Sequence, residues 1–186
     1  MPSLPDDREG KVTMSHSSST SVQEHRDASP DSIRCAVLTL SDTRTIETDK
    51  SGAFIKDALV SGGHQVVDYR ILPDDPTMIT ALLRAWAESP MIDAILSNGG
   101  TGIAKRDSTY DALSALLDKR LDGFGELFRM LSFEEIGAAA MLSRAVAGTI
   151  GGTIVMAMPG SSNAVKLAME KLVLPELGHL VFELRK

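Results

Sequence analysis

A chain of 186 residues with one cysteine, Cys35, can close no internal disulfide and build no cysteine-based metal cluster. Reducing cytoplasm is therefore the expected compartment. Histidine is scarce as well, with four in all, and His16 and His25 fall within the first thirty residues. His64 and His179 remain, neither beside a candidate site, so both fit structural positions and a Ser-His-acid triad has no base. Lys and Arg together number 19 against 25 Asp and Glu, a net charge of -6. That balance supplies no general surface for nucleic acid. No apolar stretch near the N-terminus could serve as the core of a secretory signal. The one long uncharged stretch, residues 145–165, is cut by Gly148, Gly151, Gly152, Pro159 and Gly160 into loop and strand pieces. A membrane helix is not expected there.

What is present suits a soluble domain: 43% of residues are hydrophobic and 24% charged. Residues 1–30 hold seven serines and only six hydrophobic residues. Such a segment cannot bury enough surface to offset its ordering entropy, so a disordered tail is expected over 1–30 and one domain over 31–186. Met14, inside that tail, is an alternative translation start.

From Ile33 the texture changes. "CAVLTL" (35–40) is a continuous apolar run, the mark of a strand buried on both faces. Phe54, Ile55, Ala58 and Leu59 then follow at helical spacing, with a glycine stop. "HQVVDYRILP" (64–73) reads as a second strand, after which Asp75 can cap and Pro76 can open a helix striped by Ile79, Leu82, Leu83 and Trp86. "DAILSN" (93–98) is a third strand. Leu113, Leu116 and Leu117 predict a helix after Thr109, and Phe124, Leu127, Phe128 and Leu131 a regular one beyond it. "TIVMAMPG" (153–160) is a fourth strand; Ser161 or Ser162 can cap the helix that follows, and a last helix is expected after Pro175. Strands alternating with helices imply a three-layer α/β/α sandwich around a mainly parallel sheet.

In open parallel sheets ligands gather beyond the carboxyl ends of the strands. There the chain places Ser41-Asp42-Thr43-Arg44, Pro73-Asp74-Asp75, "GGTGIAKRD" from Gly99 to Asp107, and Pro159-Gly160-Ser161-Ser162. The turn Gly99-Gly100-Thr101-Gly102 fits equally an anion cradle of backbone N–H groups or a plain tight turn. Its spacing matches neither a Walker A loop nor a dinucleotide fingerprint. The neighbouring charges favour the cradle: Lys105 and Arg106 can neutralise phosphate oxygens. Asp74 and Asp107, at two strand ends, can share Mg²⁺ with phosphates. Asp42 and Asp75 fit simple caps. Metal, phosphate cradle and cations without an evident proton-shuttling base suit phosphoryl or nucleotidyl transfer.

Four separated motifs in order, "LTLSDTR", "LSNGGTGIAKRDSTYDAL", "GFGELFRMLSFEEIGAAAMLSRAVAG" and "MPGSSNAVKLAMEKLVLPELGHLV", resemble the MoaB and MogA family of molybdenum cofactor biosynthesis proteins, the third the MoaB branch in particular. The resemblance spans residues 33–186. It implies a molybdopterin-binding fold and molybdopterin adenylyltransferase activity, with ATP and molybdopterin as substrates and Mg²⁺ required. It implies catalytic, metal-seating roles for Asp74 and Asp107. Substrate contacts are implied at Ser41 and Asp42, Gly99 to Gly102, Lys105 and Arg106, with a pterin-phosphate pocket at Ser143-Arg144 and Pro159 to Ser162. It also implies a homo-oligomer, trimer or hexamer, and other proteins of the same pathway as partners.

One departure stands out. Relatives often carry Val-Thr-Pro after the second aspartate, whereas this chain has Ser108-Thr109-Tyr110. Thr109 can still cap the helix, and a tyrosine at 110 is expected to alter nucleotide contacts. The rival reading is a binding or scaffold protein of the same fold that holds molybdopterin without chemistry; loss of an acidic position would mark it, and both acids are present. An unrelated phosphosugar or nucleotide enzyme fits the site chemistry but not the four motifs.

Overall fold

The structure is a computed structural model that describes residues 26–103 and 109–186. Residues 1–25 of the expected tail lie outside the described residues, as do Lys105, Arg106 and Asp107. Among the described residues six strands, β1 (Arg34–Leu40), β2 (Gln65–Leu72), β3 (Ala94–Gly99), β4 (Lys119–Arg120), β5 (Val146–Ile150) and β6 (Thr153–Met158), form one sheet in the order β2-β1-β3-β6-β5-β4. β2, β1, β3 and β6 run parallel, while β5 is antiparallel to both β6 and β4.

The period of two along each strand sorts side chains onto opposite faces. Cys35, Val37, Leu96 and Met156 join one core with Ile55, Leu59, Phe128, Val165 and Val181. Ala36, Leu38, Ile95 and Val155 join another with Ile79, Leu83, Trp86 and Leu113. The first core is covered by α1 (Lys50–Ser61), α4 (Asp122–Ile136), α5 (Ser162–Ala168) and α6 (Leu174–Leu184), and the second by α2 (Pro76–Ala87) and α3 (Thr109–Leu116). Two cores on either side of one sheet make the α/β/α sandwich expected from the alternation of elements. Each fully buried Leu or Ile in them stabilises by roughly 1.5–3 kcal/mol.

Local chemistry starts the helices where polar caps stand. Asp49 accepts from Gly52 N at 3.0 Å, and Asp75 accepts from Thr77 N and Met78 N at 2.8 and 3.1 Å. Of the two serines that could cap α5, Ser161 does so, accepting from Ala164 N at 3.3 Å.

Three features differ from expectation. The glycine-broken stretch holds a second strand, β5, and the Gly151-Gly152 turn makes a hairpin of β5 and β6. A two-residue strand, β4, completes the edge. The helices flanking Pro175 form one continuous run, joined through a π-helical stretch, Met169–Val173. Its wider turn sits just before a proline that lacks an N–H for the ladder. Within the stretch read as tail, residues 26–30 pack on α6: Arg26 pairs with Glu176, and Pro30 O lies 3.3 Å from where a Cβ on Gly178 would stand. His64 Nδ1 accepts from Ile33 N at 3.3 Å, and His179 pairs with Glu176 at 2.9 Å, both away from the strand-end turns.

Candidate functional site

At the carboxyl edge the ends of β1, β2, β3 and β6 bring their turns together. Gly99 and Gly100 have φ of 97° and 62°, the left-handed region that favours glycine. A Cβ on Gly99 would lie 2.3 Å from Leu40 O, and one on Gly100 2.7 Å from the Thr109 side chain. The turn after β6 presses on the same place, since a Cβ on Gly160 would stand 3.0 Å from Gly99 Cα. Two backbone turns therefore meet with no side chain between them.

The acidic side of the site is tied across strands. Asp42 Oδ1 accepts from Asp74 N at 3.3 Å, and the Thr109 hydroxyl donates to Asp74 Oδ1. Asp42 thus links two turns, beyond the simple cap it was expected to be. Thr109, expected as a cap, turns its hydroxyl onto a candidate catalytic carboxylate.

Arg144 holds the glycine turn from behind. Its Nε donates to Thr101 O at 2.9 Å, an Nη donates to Gly102 O, and its guanidinium lies 4.4 Å from the centre of the Tyr110 ring. A further Nη faces Asp111 Oδ1 at 3.5 Å. Tyr110, the departure from the family wording, therefore supports the arginine that holds the loop.

Two clefts open on this edge. One, of about 450 Å³, is lined by Ser143, Pro159, Ser161 and Ser162, with Ser132 and Glu135 from α4. The other, of about 600 Å³, is lined by Ser41 and Asp42 with Arg44, Glu47, Tyr69 and Arg70. Of the expected substrate residues, Ser143, Pro159, Ser161 and Ser162 line one hollow and Ser41 and Asp42 the other, while Gly99 to Gly102, Arg144 and Gly160 line neither. Lys105, Arg106 and Asp107 lie outside the described residues. Reading from sequence missed Arg44, Thr109 and Glu135. Arg44 stood within a quoted motif, but nothing local marks where a long side chain reaches.

Behind the edge runs a buried polar chain. Asn98 Nδ2 donates to Thr39 Oγ1 at 2.8 Å, and Tyr69 OH donates to Asp49 Oδ2 at 2.6 Å. Burial alone would raise the Asp49 carboxyl, but hydrogen bonds from Thr39, Tyr69 and the Gly52 amide, with the Arg44 charge, hold it below the ordinary range. The same burial and the Asp49 carboxylate push the Tyr69 phenol up to about 12. Asn98 Oδ1 is buried without a partner among the described residues.

Among the described residues no three His, Cys, Asp or Glu side chains gather into a metal cluster. Asp42 and Asp74, on adjoining turns, nonetheless offer the hard carboxylate oxygens that Mg²⁺ takes alongside substrate phosphates. In that shared form the residues fit the ion.

A mainly parallel α/β/α sandwich with its clefts beyond the strand ends defines a small-ligand-binding α/β protein. The particular family follows from comparison. A family model described as a probable molybdopterin binding domain matches residues 36–179, and the chain belongs to that family. It is 55% identical over 167 residues to Molybdenum cofactor biosynthesis protein B of Bacillus cereus, covering 89% of this chain and 99% of that protein. A crystal structure of a Molybdenum cofactor biosynthesis protein B superposes with a TM-score of 0.82 at 56% identity, over 84% of this chain and 98% of the other. The tungsten cofactor synthesizing protein MoaB from Pyrococcus furiosus superposes with a TM-score of 0.75 at 38% identity, over 84% and 99%.

Proposed function

We propose that the protein acts in molybdenum cofactor biosynthesis by transferring an adenylyl group from ATP to the terminal phosphate of molybdopterin. The observation that carries this reading is the meeting of the Gly99 and Gly160 turns at one edge, with Asp74 and Asp42 joined beside them and a cleft opening there from each set of turns. The Ser143, Ser161 and Ser162 cleft takes the pterin and its phosphate. Asp74 and Asp107 seat the magnesium nucleotide, while the Gly99 to Gly102 amides with Lys105 and Arg106 hold phosphate opposite. Mg²⁺ would neutralise charge on the polyphosphate as the leaving group departs.

In the reaction a terminal phosphate oxygen of molybdopterin bonds to the α-phosphorus of ATP. The bond from that phosphorus to the bridging oxygen breaks, and pyrophosphate leaves with its electron pair. A phosphate nucleophile is already ionised near neutral pH, so orientation and charge neutralisation suffice. His64 and His179, away from the turns, have no part in this scheme.

The reading includes a homo-oligomer, trimer or hexamer, in the cytoplasm, with other cofactor-biosynthesis proteins as partners. Support for self-association lies on α4 and the 3₁₀ turn after it, Gly137–Leu142. Leu127, Met130, Phe133, Ile136, Met141 and Leu142 are all 47–80% exposed. An apolar patch of that kind marks an interaction surface.

The test is pyrophosphate release from molybdopterin and ATP, with and without Mg²⁺. Mg²⁺-dependent release is expected, and Asp107→Asn should lower it by orders of magnitude while pterin binding persists. Pterin binding with no release in the unaltered protein would make it a binding protein instead.

A further inference from the structure

We propose that Arg44 and Ser51 are positioning residues: together they pin the Gly160 carbonyl and so aim the phosphate-binding edge of the Ser143, Ser161 and Ser162 cleft. This rests on the reading that this cleft takes the pterin phosphate. Gly160 O accepts two hydrogen bonds, from Arg44 Nη2 at 3.0 Å and from Ser51 Oγ at 2.9 Å. The donors come from the turn after β1 and the first turn of α1, more than a hundred residues away in sequence.

The arginine itself is held. Its Nη1 lies 3.1 Å from Asp49 Oδ1, and its backbone N donates to Ser41 Oγ at 3.2 Å. Asp49 is only 2% exposed and anchored by the Tyr69 hydroxyl and the Gly52 amide, so it stays ionised and cannot follow a moving partner. Charge-assisted bonds of this kind are about twice as strong as neutral ones.

A trans peptide is planar, and its C=O and the next N–H point in opposite directions. Fixing Gly160 O towards Arg44 and Ser51 therefore turns the Ser161 N–H the other way. Two donors on the carbonyl also polarise that peptide and strengthen its N–H as a donor. The turn cannot relax alone, because Gly160 lies against the Gly99 backbone, and Arg44 lines the neighbouring cleft as well. A shift of one turn would be felt in both clefts.

The experiment compares neopterin monophosphate with neopterin, both fluorescent, by titration of the full chain. The unaltered protein should hold the phosphorylated pterin more tightly than the plain one. Arg44→Met should remove about tenfold of that phosphate advantage, as loss of a charged hydrogen bond does. Ser51→Ala should remove about threefold, and the double variant less than the product, since both donors serve one oxygen. Arg44→Lys should recover part of the loss. Neopterin affinity should move less than twofold, which separates positioning from general loosening. An unchanged phosphate advantage in all variants, or an equal loss for neopterin, would overturn the positioning role. If the unaltered protein shows no phosphate advantage, the assignment of the cleft itself is wrong, and the role goes with it.

Discussion

Thr109 donates its hydroxyl hydrogen to Oδ1 of Asp74 across 35 residues of chain. The residue that opens α3 thereby sets the orientation of the carboxylate after β2. Thr109→Val keeps the shape of a side chain that is only 1% exposed and removes the donor. The pyrophosphate assay should show turnover falling about tenfold, the loss of one hydrogen bond to a charged group. Thr109→Ser should restore it. Undiminished turnover in the valine variant would show that this bond does not orient the acid.

Self-association can be tested at the centre of the apolar patch. Phe133 is 62% exposed on α4, so a charge there should not disturb the core. Phe133→Asp would bury an unpaired carboxylate in any interface on that face. Sedimentation should show the unaltered chain as a trimer or hexamer and the variant as a monomer of similar helical content. An oligomer that survives the change would move the interface elsewhere.

At the opposite end of the sheet from the clefts, Asp93 is 6% exposed and paired with Arg34 at 2.7 Å and with Arg185. Burial alone would raise its carboxyl. The side-chain and backbone hydrogen bonds from Arg34 and the charges of both arginines outweigh that and hold it low. A carboxyl depressed in the folded state stabilises fully above its unfolded value and stops doing so as pH falls through the folded one. Asp93→Asn should therefore lower the thermal midpoint at pH 7, modestly, because both arginines it pairs with are partly in solvent. The gap between the two proteins should close below about pH 4, under the ordinary carboxylate range. A gap independent of pH would deny the ion pair its part.

The strands buried on both faces were readable as continuous runs, while the half-exposed edge strand β2 was readable from its β-branched residues and the proline that ends it. Cys35 to Leu40 and Ala94 to Asn98 are continuous apolar or small runs, and only central parallel strands are written that way. Val146 to Ile150 is as buried but contains Gly148, whose absent Cβ admits Lys119 O; its glycine resembled a break. Pro175 read as a helix start because the π-helical stretch before it leaves no composition signal. Within the site, Asp74 was legible from its place after a strand. The bonds from Thr109 to Asp74 and from Arg44 to Gly160 were not, because a side chain's reach across folded space has no local period. Arg144 entered only through the family resemblance, as part of a pterin-phosphate pocket, and the structure shows its guanidinium on the carbonyls of Thr101 and Gly102.

The β5–β6 hairpin begins just after Arg144 and ends just before Pro159, so both its feet stand at the clefts while its Gly151-Gly152 tip faces away. Five residues of strand separate tip from feet, about 17 Å at the usual rise. A Cβ on either tip glycine would meet nothing within 4 Å. The molecule can thus be gripped there, by an inserted handle or a surface linker, and presented with both hollows open to the solution.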